Sequence, residues 1–94
     1  MDLNVPRYEF VEGESFTLAK AVLGVDPGGF DDHLFAIQDA ILSDPYQEPW
    51  SVPLRASPDV RVAVSDATDH SPTALRVLFT VRGSKIILLH VARR

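Results

Sequence analysis

The sequence predicts a small α+β domain: two N-terminal helices packed on a C-terminal antiparallel sheet of three to four strands. Three observations carry this. Apolar residues recur at helical spacing through residues 15–43, and they alternate at strand spacing from 60 onward. Between the two patterns, residues 45–58 hold four prolines (Pro45, Pro49, Pro53 and Pro58), which separate a helical half from a sheet half.

The first element is a short strand from Pro6 to Val11, with Tyr8 and Phe10 on one side. Ser15 is placed to cap a helix running through Phe16, Ala19, Val22 and Leu23, with Gly24 as its stop. Asp26-Pro27-Gly28-Gly29 is a turn. A second helix spans about Phe30 to Ser43. Phe30, Leu34, Ile37 and Ile41 form its apolar stripe, widened by Phe35 and Leu42, and His33 is expected on the surface. Asp31 and Asp32 fall in its first turn, where the positive end of the helix dipole favours anions; that role explains the pair better than acid–base catalysis does. Asp44-Pro45 ends the helix.

The proline-marked connector leaves room for an edge strand around Trp50 to Leu54. Three strands follow. In the first, Val60, Val62 and Val64 alternate with Arg61 and Ala63. A polar loop from Asp66 to Pro72 leads to the second, Leu75 to Arg82. Gly83-Ser84 makes a two-residue hairpin turn into the third, Lys85 to Val91. A three-residue loop would swap the faces of the last strand, whereas a two-residue loop sets Arg76 opposite Val91. Leu75, Val77, Phe79 and Val81 then face the helices together with Ile86, Leu88 and His90. The opposite face would gather Arg61, Arg76 and Arg93 around an aliphatic patch of Leu78, Ile87, Leu89 and Val91. Such a patch on an otherwise open sheet face points to a cover, either another segment, a second copy or a partner protein, or to simple burial.

All 94 residues fit one domain, 1–94. Cysteine is absent, so neither a disulfide framework nor a thiolate nucleophile is available. No apolar run approaches the length of about 20 residues that spans a bilayer. Met1-Asp2-Leu3-Asn4 lacks a secretory start, so a cytoplasmic protein is expected, with no membrane partner. The net charge of −4 argues against a generic nucleic-acid binder, but it is unevenly spread. Residues 1–51 carry two bases against ten acids, net −8, and residues 52–94 carry seven bases against three acids, net +4. The second half could therefore face an anion. Arg55, Arg61, Arg76, Arg93 and Arg94 are its candidate phosphate ligands, since guanidinium forks match phosphate oxygens. Solvation, or pairing with nearby acids, is their bland alternative.

Three scattered histidines without cysteine give no metal-ligand spacing, Gly28-Gly29 follows a proline in a turn and not a strand, and no serine triad assembles. No metal or cofactor is expected.

The order strand, helix, helix, connector, three strands, together with several local stretches, resembles the RelE/ParE toxin superfamily of bacterial type II toxin–antitoxin systems. Those stretches are Leu42-Ser43-Asp44-Pro45, Pro53-Leu54-Arg55-Ala56, Val60-Arg61-Val62-Ala63-Val64, and the run from Leu75 to Val81 continued from Lys85 to Arg94. The closing run is also similar to the HigB branch. The likeness covers about residues 6–94. It implies a toxin-like endoribonuclease or translation inhibitor acting on messenger RNA at the ribosome, or in the ParE type on gyrase, with an antitoxin as partner. Cleavage by a 2′-hydroxyl needs a base, an acid and cations for the phosphorane charge. By position the resemblance assigns Arg61 and Arg76 to that site, with Arg93 or Arg94 in the basic cluster after the last strand. His90 is the nearest acid or base; a histidine within an apolar strand is also an ordinary core residue. His70, beside Asp69 in the polar loop, is a weaker substitute.

The sequence departs from that pattern at Ala63, where relatives often carry a second lysine or arginine, and in its overall acidity. A second reading follows from these departures: a RelE-fold protein without catalysis that binds a partner protein through its aliphatic sheet face.

Overall fold

The structure is a computed structural model that describes residues 8–23, 30–46, 51–66 and 74–94. The Gly24 helix stop, the Asp26–Gly29 turn, Trp50 and His70 of the polar loop lie outside the described residues. The elements are β1 (Glu9–Glu12), α1 (Glu14–Leu23), α2 (Phe30–Ser43), β2 (Ser51–Pro53), β3 (Val60–Val64), β4 (Leu75–Arg82) and β5 (Lys85–Arg93). No described helix is long and apolar enough to cross a membrane.

The chain is α+β, but the sheet is larger than expected and mixed. Its five strands run in the order β1-β5-β4-β3-β2, and β1 lies parallel to β5 while every other pair is antiparallel. The N-terminal strand and the connector strand, each foreseen as short segments, both join the sheet as its two edges. Pro53 tolerates its place because an edge strand needs no amide donor on its outer side.

Gly13 is the joint between β1 and α1. Its amide donates to the Leu88 carbonyl at 2.8 Å, and its own carbonyl accepts the Thr17 amide at 3.0 Å, starting the helix. Gly13, not Ser15, therefore occupies the cap position, and Ser15 lies inside the first turn. Phe16 is fully buried, Ala19 and Leu23 pack beside it, and Leu18 and Val22 are exposed.

In α2 the stripe Phe30, Leu34, Ile37 and Ile41 is buried as the helical period predicts. His33 is also buried, contrary to expectation, because position 33 precedes Leu34 and Ile37 on the same stripe. Phe35 does not widen the stripe; it is 73% exposed, and Leu42 is 39% exposed. Beyond the helix, Asp44 Oδ1 accepts the Tyr46 amide at 3.0 Å, a local turn that the proline between them favours.

Gly83 adopts φ of +61°, and Arg82 pairs with Lys85, so the hairpin turn forms as read from the sequence. The register then slips once. Phe79 pairs with Leu88 but Leu78 pairs with His90, leaving Leu89 as a bulge without a partner on β4. One extra residue exchanges the faces of everything beyond it. Val91 therefore enters the core opposite Val77, and Arg76 pairs with Ala92 instead of Val91.

The third strand is likewise turned over. Ala63 pairs with Val77 and is buried, so Arg61, which pairs with Phe79, shares the helix-side face, and Val60, Val62 and Val64 lie on the outer face. One core cluster joins Phe16 of α1 and the α2 stripe to Ala63, Leu75, Val77, Phe79, Ile86, Leu88 and Val91. Each large member contributes about 1.5–3 kcal/mol through its removal from water.

Candidate functional site

The expected anion site does not assemble. Arg61 and Arg76 occupy opposite faces of the sheet, because their partners Phe79 and Val64 set them on opposite sides of an unbroken β3–β4 register. Arg61 is half-buried and turned into the protein. Its Nε donates to Ser51 Oγ at 2.6 Å, and its Nη2 donates to the Ser51 carbonyl at 2.9 Å. Its guanidinium carbon lies 5.1 Å from the centre of the Tyr46 ring. Ser51 Oγ in turn donates to the Pro45 carbonyl at 2.6 Å. This network ties β3 to β2 and to the end of α2. It uses the arginine fork on backbone and hydroxyl acceptors, where a phosphate would otherwise bind.

The other arginines scatter. Arg76 is exposed on the outer face. Arg55 is exposed in the β2–β3 connection, whose turn lies where Val60 pairs with Thr80, at the opposite end of β4 from Arg76. Arg93 pairs with Leu75 and so belongs to the helix-side face. Arg94 Nη1 contacts Asp66 Oδ1 at 2.6 Å and donates to the Ser65 carbonyl at 3.1 Å, so its charge is already matched.

His90 was expected on the helix-side face; the bulge moves it to the outer face with Leu78, diagonal to Arg76. It is half-buried, and its Nδ1 shares a 3.0 Å hydrogen bond with Ser15 Oγ of α1. The structure therefore brings together Arg76 and His90 and separates both from Arg61.

Two surfaces stand out among the described residues. A cleft of about 460 Å³ lies between α2 and β3, lined by Ala36, Ile37, Ala40, Ile41 and Ala63. Asp32, Asp44 and Asp66 also line it, which disfavours an anionic ligand. The outer sheet face is the second. Val11, Ile87, Leu89, Leu78, Val62 and Val52 form an aliphatic belt across all five strands, with Val11 and Val52 39% and 41% exposed and the others half-buried. Leu78, Ile87 and Leu89 of this belt were foreseen; Val91 was assigned to it wrongly, and Val11, Val52 and Val62 were missed. Alternation alone names two faces without saying which is inward. The small Ala63, which fits close beneath a helix, is the one signal that could have oriented β3 correctly.

Comparison with known proteins adds nothing to the geometry: no protein-family model matches the chain, and neither a curated protein nor a solved structure matches it.

Proposed function

We propose that this chain is a RelE/ParE-like protein that acts by binding a partner protein through its outer sheet face, without cutting RNA. The observation that carries this reading is the aliphatic belt from Val11 to Val52, a half-exposed apolar surface larger than scattered single residues would make. Against RNA chemistry stands the engagement of Arg61 with Ser51, which removes one of the two sheet cations the reaction would use. The acidity of the chain, net −4, opposes docking on a phosphate backbone.

A second reading, a reduced ribonuclease, is favoured by the diagonal placement of Arg76 and His90 on the outer face. It would use His90 as acid or base and Arg76 for the phosphorane charge.

Induction of the chain in a bacterial host separates the two. Partner binding without catalysis predicts unchanged growth and intact messenger RNA while folded protein accumulates. Growth arrest with RNA cleavage, relieved by Arg76→Ala or His90→Ala, overturns it in favour of the ribonuclease.

A further inference from the structure

The outer sheet face and the exposed side of α2 are complementary surfaces on opposite sides of one chain. The belt is flanked along β4 by Arg76 and Arg82, about 20 Å apart at strand rise. Both are exposed, and neither forms an ion pair among the described residues. The exposed side of α2 has the inverse character. Phe35, 73% exposed, and Leu42, 39% exposed, sit among the exposed carboxylates Asp31 and Asp39. The helix has 14 residues and is about 21 Å long, close to the separation of Arg76 and Arg82 along β4.

We propose that the occupant of the sheet face is α2 of a second copy of this chain, in a head-to-tail contact. The proposal rests on the partner-binding reading and names the partner. Charge decides the geometry. Two sheet faces packed together would set Arg76 and Arg82 against their own copies, and two α2 faces would set Asp31 and Asp39 against theirs. Only the sheet-to-helix arrangement pairs guanidinium with carboxylate and places Phe35 on the aliphatic belt. It also covers the second face of the sheet with a helical layer, the common way of burying both sides. Because the two surfaces differ, the contact is heterologous, and the chain can add copies in series. One helix on one sheet face is a small interface, below about 1,200 Å², so association is weak and concentration-dependent.

Sedimentation of wild-type protein up to about 1 mM is predicted to show masses rising above the 10.4 kDa monomer and falling back as salt is raised. Phe35→Lys and Ile87→Lys block the two surfaces separately; both positions leave the core cluster intact. Each variant alone is predicted to be monomeric, weakened about tenfold or more. Their equimolar mixture is predicted to form a dimer and nothing larger, since each variant retains one complementary surface. Circular dichroism establishes that both are folded; should Ile87→Lys unfold, Arg82→Glu with Arg76→Glu replaces it. A monomeric wild type, a mixture that stays monomeric, or a Phe35→Lys variant that still self-associates overturns the proposal. The first of these, with normal growth on induction, leaves the partner-binding reading for a different protein. Growth arrest relieved by Arg76→Ala removes that reading itself.

Discussion

Arg61 and Ser51 are joined twice, side chain to hydroxyl at 2.6 Å and side chain to carbonyl at 2.9 Å, across paired strands at the sheet edge. Hydrogen bonds to charged groups are worth about 1.5–3 kcal/mol, and losing one leaves its acceptors to find water. Arg61→Ala is therefore predicted to lower stability by about 2 kcal/mol in a denaturant melt. Arg76→Ala, exposed and with no side-chain hydrogen bond among the described residues, should stay within about 0.5 kcal/mol of wild type. Equal effects would mean that Arg61 is not a structural residue.

The bulge at Leu89 makes neighbouring residues unequal. Val91 is 1% exposed in the core, and His90 is half-buried on the other side. Val91→Ala is predicted to cost about 1.5–3 kcal/mol by thermal unfolding. His90→Ala gives up one hydrogen bond to Ser15 and should cost about 1 kcal/mol or less. The reverse order would restore the unbroken register.

Two glycines answer to different causes. A Cβ at Gly13 would lie 2.9 Å from the backbone oxygen of Leu88, which is held in the β1–β5 pairing and cannot move aside alone. Gly83 has open space around it but a φ of +61°. Gly13→Ala is predicted to destabilise the joint between β1 and α1, seen as faster hydrogen exchange at Glu9–Glu12. Gly83→Ala should cost about 1–2 kcal/mol from backbone strain, and Gly83→Asn less, since asparagine accepts the left-handed region.

The Glu12 carboxyl is held below its ordinary 4.5. The hydrogen bond from Lys20 is the main cause, helped by Thr17 and by the Lys20 charge and opposed by partial burial. A carboxyl depressed in the folded state stabilises fully above its unfolded value, and that contribution disappears as pH falls through the folded one. Both side chains of the pair are 36% exposed, so the effect is about 0.3–1 kcal/mol. Glu12→Gln is predicted to lower stability by that amount at pH 7, with the difference from wild type shrinking as pH falls through the folded-state value of the carboxyl, read from a series of melts from pH 7 downward.

Much of the fold was legible because local chemistry wrote it. The α2 stripe follows from the spacing of Phe30, Leu34, Ile37 and Ile41, and the β4–β5 turn from Gly83-Ser84. The site was not legible, because it depended on two facts that local pattern does not carry. Nothing in Ile86-Ile87-Leu88-Leu89 marks Leu89 as the extra residue, since every one of them is an aliphatic residue that a strand accepts. The Val60–Val64 alternation fits either face, and its orientation was decided by the helix that packs over Ala63 and by the acceptors that Ser51 offers Arg61. A parallel partner for β1 leaves no hairpin signal at all.

Arginine-selective labelling with phenylglyoxal, read residue by residue by mass spectrometry with and without an RNA oligonucleotide, tests the central claim most directly. Arg76 and Arg82 should react fast and Arg61 slowly, with RNA changing none of the three rates. Equal rates at Arg61 and Arg76, and joint protection of both by RNA, would contradict it.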